Sequence, residues 1–300
     1  MFKQTTATLA CALLAVLTNA SYVLGGSTVW TDPITEEMVL PTEQLSELQI
    51  RTHNGGISYK GATETDSADR IVVTKKAGGD DLEAAEAALA AIDVFVEPSF
   101  GGTTRIGWKW RQTKRSNWTA SVSFEIEGPS RLALDGKTHN GGIKVTGVNG
   151  DVKVRTHNGG IDVQSQGGEL DAETHNGGII ADHTGGTVDA ETHNGGIRLD
   201  HAGGAVDVET HNGGITVNLA RGSAPEAKIE THNGKVTILV SDSVSATLDL
   251  RTHRGKISCD LPLGNSKITK KAMRGSLGVG EGHLAVTTHN GGIAIKTNPE

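Results

Sequence analysis

Cysteine is nearly absent from this chain: 300 residues hold two, Cys11 and Cys259. Cys11 falls inside an apolar leader, so removing the leader leaves one thiol and excludes an intrachain disulfide framework. Aromatic residues are equally scarce, at 3%, which excludes a core built around large rings. Basic charge is also in deficit. The net charge of −7 argues against a general binder of nucleic acid or anionic membranes, which needs a basic surface. Long hydrophobic runs are missing too, and no segment reaches membrane-spanning length. The apolar stretch from Leu9 to Leu17 is too short to cross a bilayer. With Lys3 ahead of it and Thr18-Asn19-Ala20 behind, it reads as an export signal cleaved near Ala20. Most of the apolar run follows Cys11, which argues against lipid attachment there. The expected location is extracytoplasmic: periplasm, cell surface or secreted.

Glycine and histidine, by contrast, are abundant and ordered. The string Thr-His-Asn-Gly, or a close variant, recurs with its histidine at positions 53, 139, 157, 175, 193, 211, 232, 253 and 289. From His139 to His211 the spacing is 18 residues four times running, and it then becomes 21 twice. The last gap of 36 holds a worn copy, Ala272-Met273-Arg274-Gly275, which aligns with Thr252-His253-Arg254-Gly255. A fixed period of this kind is the signature of a stacked repeat.

Each unit carries two stretches of period-two alternation. Val152, Val154 and Thr156 alternate with Asp151, Lys153, Arg155 and His157, and after Asn158-Gly159-Gly160 the alternation resumes with Ile161 and Val163. One face of each strand is therefore buried and the other solvated. Asn-Gly-Gly supplies residues that tolerate positive φ for one sharp corner, and pairs such as Gly167-Gly168 mark the opposite one. Asn-Gly is also a hairpin signal. Invariant coil length favours parallel stacking instead, with each residue about 4.8 Å above its copy.

The expected fold is thus all-β: a parallel β-solenoid (β-helix) of roughly 18–21-residue coils, with an N-terminal α+β cap. Asn140, Asn158, Asn176, Asn194, Asn212, Asn233 and Asn290 mark the repeat corner and should hydrogen-bond up the stack. Ile143, Ile161, Ile179, Ile197 and Ile215 should form one interior file. About nine coils are expected in residues 131–297, and the three-residue lengthening after Leu219 falls at a corner. Residues 60–130 break the pattern with a helix from Asp80 to Ile92, several strands, and a cluster of Trp108, Trp110 and Trp118. Such an insertion suits the end plug a solenoid needs. The expected division is a signal at 1–20, a linker at 21–45, the first repeat plus cap at 46–130, and solenoid repeats at 131–297.

The order of these parts resembles a known group. Leu48-Gln49-Ile50-Arg51-Thr52-His53-Asn54-Gly55 opens it, a helix with strands follows, then Ser123-Phe124-Glu125-Ile126-Glu127-Gly128-Pro129, and tandem Asn-Gly repeats begin at Leu132. Over about residues 45–297 this is similar to a bacterial β-strand-repeat family of unknown function that carries an adhesin label. The near-uniform His before the Asn departs from the family pattern. The resemblance implies a β-solenoid in an extracytoplasmic setting and transfers no catalytic residues.

Two functions are weighed. Parallel β-helices host polysaccharide lyases and hydrolases, but such sites need a unique pair of differentiated carboxylates. Here Asp171/Glu173, Asp189/Glu191 and Asp207/Glu209 are copies of one another, so a solvated acidic face is the expected reading. A non-enzymatic scaffold presenting side-chain ladders to a surface, glycan or protein partner is favoured. Neither nucleic acid nor a cofactor is expected. The outward histidines, with Glu173, Glu191, Glu209 and Glu230 two residues back, make His175, His193 and His211 weak metal candidates, with zinc or copper bound adventitiously.

Overall fold

The computed structural model describes residues 28–62, 69–165, 167–183, 185–201, 203–219 and 224–298. The export signal with its cleavage point, Cys11, and most of the lengthened corner after Leu219 lie outside the described residues.

Two sheets, each of thirteen strands among the described residues, face one another along the length of the molecule. Each coil contributes one strand to each sheet. Val152–Asn158, for example, lies in the second sheet and Ile161–Ser165 in the first, joined by the Asn-Gly-Gly corner. Pairing between coils is parallel and in identical register. Ile143, Ile161, Ile179, Ile197 and Ile215 stand above one another and are all buried. The facing file runs Val152, Leu170, Val188, Val206 and Ala227. Burying each aliphatic side chain is worth about 1.5–3 kcal/mol, and repetition multiplies it.

Threonine occupies an inward position in every coil, and the structure shows why that is tolerated. Its hydroxyl donates to a glycine carbonyl of the neighbouring coil: Thr156 to Gly141, Thr174 to Gly159 and Thr192 to Gly177, each at 2.9 Å. A buried hydroxyl so satisfied stabilises rather than costs.

The corner glycines are needed for a different reason than expected. Gly159, Gly177 and Gly195 are absent from the positive-φ residues, which include Gly168 and Gly204 at the opposite corner. A Cβ on Gly177 would instead overlap the carbonyl group of Gly159 in the coil beside it. At these Asn-Gly-Gly corners the requirement is space, not φ; only Gly55, in the first repeat, combines the close carbonyl with a positive φ of 146°.

The C-terminal coils depart from chain order. Val236 pairs with Ile293, and Ile293 pairs with Ile257, so the coil holding residues 282–297 sits between those of residues 226–240 and 246–259. The amide ladder gives a physical reason. Asn290 donates to Asn233 at 2.8 Å and continues the row, whereas residue 254 in the outermost coil is an arginine. An arginine between two asparagines would interrupt the ladder; at the end it does not.

The worn copy is also corrected. Ala272–Leu277 runs antiparallel to Ala246–Arg254, and Gly264–Ile268 runs antiparallel beside it. These residues form a hairpin on the outer edge, not a coil. Residues 131–297 consequently hold eight coils, and the ninth is the first repeat, Glu47–Arg51 with Ile57–Ala62.

At the other end Thr119–Pro129 and Thr103–Trp110 extend the two sheets in parallel. Arg70–Gly79 and Ile92–Pro98 then follow antiparallel, and Val29–Trp30 and Ile34–Val39, within the stretch expected as a linker, pair antiparallel with Arg70–Gly79. Helix Leu82–Ala90 packs on this cap; the Asp81 side chain accepts a hydrogen bond from the Ala84 N–H at its start. Trp108, Trp110 and Trp118 meet there at ring separations of 5.4 and 5.6 Å. Both ends thus exchange parallel for antiparallel pairing, which covers an exposed edge with a short local connection.

Candidate functional site: the histidine and asparagine ladders

Strand alternation that turns Val, Ala and Thr inward turns histidine outward at the same corner of every coil. All nine repeat histidines are exposed. Their rings form one row in the order His53, His139, His157, His175, His193, His211, His232, His289, His253, with centroids 4.6–4.8 Å apart. From His157 onward neighbouring rings are within 8° of parallel. Eight such steps make a row roughly 38 Å long.

The expected corner residues lie alongside. Asn140 donates to Asn54, Asn158 to Asn140, Asn176 to Asn158, Asn194 to Asn176, Asn212 to Asn194, and Asn233 to Asn212, at 2.6–2.9 Å. Each amide both donates and accepts along the row, which fixes its orientation and keeps the corners in register.

Two residues before the histidines runs a mostly charged row: Arg51, Lys137 and Arg155, then Glu173, Glu191, Glu209 and Glu230, then Thr287 and Arg251. Shallow grooves lie between the two rows, floored by threonine, one from Arg51 to His193 and one from Glu209 to His289. Arg155 holds Glu173 at 2.7 Å and Asp171 at 2.9 Å, and Lys228 reaches Asp207 at 3.3 Å. Between those cations the carboxylates face only each other. Partial burial, and then the carboxylates of Asp171 and Asp207, raise the pKa of Asp189; partial burial followed by Glu209 and Glu173 raises that of Glu191. The carboxylates therefore stand in rows, copy above copy, and not as a differentiated pair across a cleft.

His175, His193 and His211 are brought side by side, but with their planes 3–6° apart. Ring-nitrogen lone pairs lie in the ring plane, so parallel rings do not aim at a common point as a tetrahedral site requires. Among the described residues no group of three or more His, Cys, Asp or Glu is arranged to hold a metal ion.

A second histidine pair lies outside the repeat string and is disclosed only by the fold. His183 and His201 are 0% and 3% exposed and stack at 5.7 Å inside the solenoid. His183 Nδ1 lies 2.6 Å from the Ser165 hydroxyl, while His183 Nε2 and His201 Nδ1 have no hydrogen-bond partner among the described residues. Burial lowers both pKa values; with the His183 ring adding its effect, that of His201 falls to about 4. The inner positions of the opposite strands are Leu170, Ala172, Val188, Ala190, Val206 and Val208, none titratable. Asp182 and Asp200 precede the rings on the outer face of their own strands. A signal for the inward rings exists in the sequence, since alternation from Ile179 through Ala181 leads to His183. The Thr-His-Asn-Gly string, which marks the outward histidines, does not include them.

Residues 166–296 match the family described as Toastrack DUF4097, which bears out the resemblance read from the repeats. Among solved structures the chain is similar to a "putative adhesin" from Bacteroides fragilis, at 12% identity and TM-score 0.50, over 88% of this chain and 97% of that one. A second "putative adhesin", from Parabacteroides distasonis, matches at 10% identity and TM-score 0.38 over 88% and 97% of the two chains. A "putative lipid binding protein" from Parabacteroides distasonis matches at 10% and 0.36 over the same shares. At 12% identity the likeness to the Bacteroides fragilis protein is one of fold alone. No curated protein matches the chain.

Proposed function

We propose, with the Toastrack match and the ladder face as premises, that this chain is an exported, non-enzymatic scaffold that presents its side-chain ladders to a glycan or protein on a surface. The observation that carries this reading is the row of nine exposed imidazoles, held rigid by an amide ladder and flanked by grooves whose polar groups repeat at coil spacing. A repeated array of one chemistry suits a ligand that repeats too, or an extended one; bond cleavage needs one differentiated coil. No helix among the described residues is long and apolar enough to cross a membrane. No cofactor takes part, and zinc or copper binds the row only adventitiously, because parallel rings offer single nitrogens.

A screen of the secreted form against glycans and surface proteins tests this, with His175→Ala/His193→Ala/His211→Ala beside the wild type. A ligand held by the wild type and released by the triple variant is the expected result. Retention by both, or turnover of a glycan by the wild type, would overturn it.

A further inference from the structure

The net charge of −7 conceals a strong separation along the molecule. Residues 251–274 carry seven cationic side chains, Arg251, Arg254, Lys256, Lys267, Lys270, Lys271 and Arg274, against one carboxylate, Asp260. The fold gathers them at one end. Arg251 and Arg254 lie on the outermost coil, and Lys256 follows at its corner. The hairpin of residues 264–277 lies along the free edge of that coil. The Thr252 N–H donates to the Lys271 carbonyl at 2.9 Å, which pins the hairpin turn beside Arg251, His253 and Arg254.

All seven cations are exposed. Asp249 serves Arg251 at 2.7 Å and Arg274 at 3.4 Å; Arg254, Lys256, Lys267, Lys270 and Lys271 make no ion pair among the described residues. We propose that this C-terminal tip docks end-on to an anionic phospholipid bilayer.

Protection of an exposed edge explains part of the charge, since lysine on Gly264–Ile268 discourages pairing with another chain. It does not explain Arg254 and Lys256 at the corner, or Lys270 and Lys271 in the turn. Ile268 adds a second feature: an isoleucine 59% exposed between Lys267 and Lys270. An apolar side chain framed by lysines suits the boundary between headgroups and acyl chains, with the ammonium groups reaching the phosphates. Along the row of Arg251 the nearest carboxylate, Glu230, is two coils inward. That is roughly 9 Å, about one Debye length at physiological salt. The opposite end is mixed: Lys109, Lys114 and Arg115 make no ion pair among the described residues, but Asp80, Asp81, Glu83, Glu86 and Glu97 share the cap with them, and Arg111 is paired to Asp93 at 3.2 Å. Cations outnumber carboxylates seven to one across residues 251–274, against six to six across residues 76–118 at the other end.

This tip is independent of the ladder's ligand, and its test uses other residues. The exported form is sedimented with vesicles of phosphatidylglycerol and phosphatidylcholine, and with phosphatidylcholine alone. Binding to the anionic vesicles only, released by salt, is expected. Lys270→Ala/Lys271→Ala should bind about thirty-fold more weakly, from the usual contribution of a lysine near such a surface. Lys114→Ala/Arg115→Ala at the other end should bind as the wild type does. If the first variant melts early, Arg254→Gln/Lys256→Gln gives the same comparison from the corner. Equal binding to both vesicle types, equal loss in tip and cap variants, or capture by an immobilised anionic polysaccharide without vesicle binding would each overturn the proposal.

Discussion

Replacing His201 by leucine asks whether the buried imidazoles make this solenoid sensitive to acid. Burial, with the adjacent His183 ring second, lowers the His201 pKa from 6.5 to about 4. As pH falls below 6.5, the unfolded chain takes up a proton here that the folded chain refuses until about pH 4. Stability is therefore fully present above pH 6.5 and is lost progressively toward pH 4. Each pH step of one between those two values costs about 1.4 kcal/mol, so the loss approaches 3 kcal/mol at pH 4. That is a large fraction of a typical folding free energy of about 5–15 kcal/mol. His183 is shifted in the same direction by its own burial and adds to the effect. Leucine suits the position, because the next coil carries Leu219 one place beyond Asn218, the partner of Asp200. It removes a buried Nδ1 that lacks a partner among the described residues and also the 3.3 Å contact of His201 Nε2 with the Gly204 carbonyl, two effects of opposite sign, so the variant should be about as stable at pH 7. Asp189 and Glu191, with raised pKa values, work in the opposite direction, but they are common to both proteins and cancel in the difference. Urea unfolding in steps from pH 7 to 4 reads it out: the variant's advantage should grow to about 3 kcal/mol. Parallel stability curves for the two proteins would refute the reasoning.

Three further outcomes follow from the coil geometry. Asn176→Ala removes both a donor to Asn158 and an acceptor for Asn194, and should cost about 1–3 kcal/mol in denaturant titrations. Asn290→Ala, at the row's end, breaks one bond and should cost about half as much. Gly177→Ala places a methyl group against the Gly159 carbonyl, so loss of about 3 kcal/mol or more is expected, seen as a lowered thermal midpoint or no soluble protein. Truncation after Val279 removes an interior coil rather than a terminal one. It should therefore destabilise far more than deletion of the coil Asp171 to Val188, whose neighbours can rejoin in register. Equal melting temperatures for the two deletions would contradict the spatial order.

Sequence by itself determined everything that repeats. Coil length, the inward Ile and Val, the outward His and the Asn corner all follow from a fixed period combined with two-residue alternation, and both are local properties of a strand. Parallel stacking then turned each repeated residue into a ladder. Only the tertiary structure decided what depends on distant partners. The coil of residues 282–297 entered between two earlier ones because Asn290 extends the amide row and Arg254 cannot. Ala272–Leu277 became an antiparallel edge because the outermost coil had no further coil to cover it. The corner glycines answer to a carbonyl in the neighbouring coil, a contact that their own dihedral preferences do not disclose. Charge was divided differently. The seven cations of residues 251–274 are neighbours in the sequence, but only the fold puts that stretch at the end of the stack and lines up the repeated carboxylates in its middle.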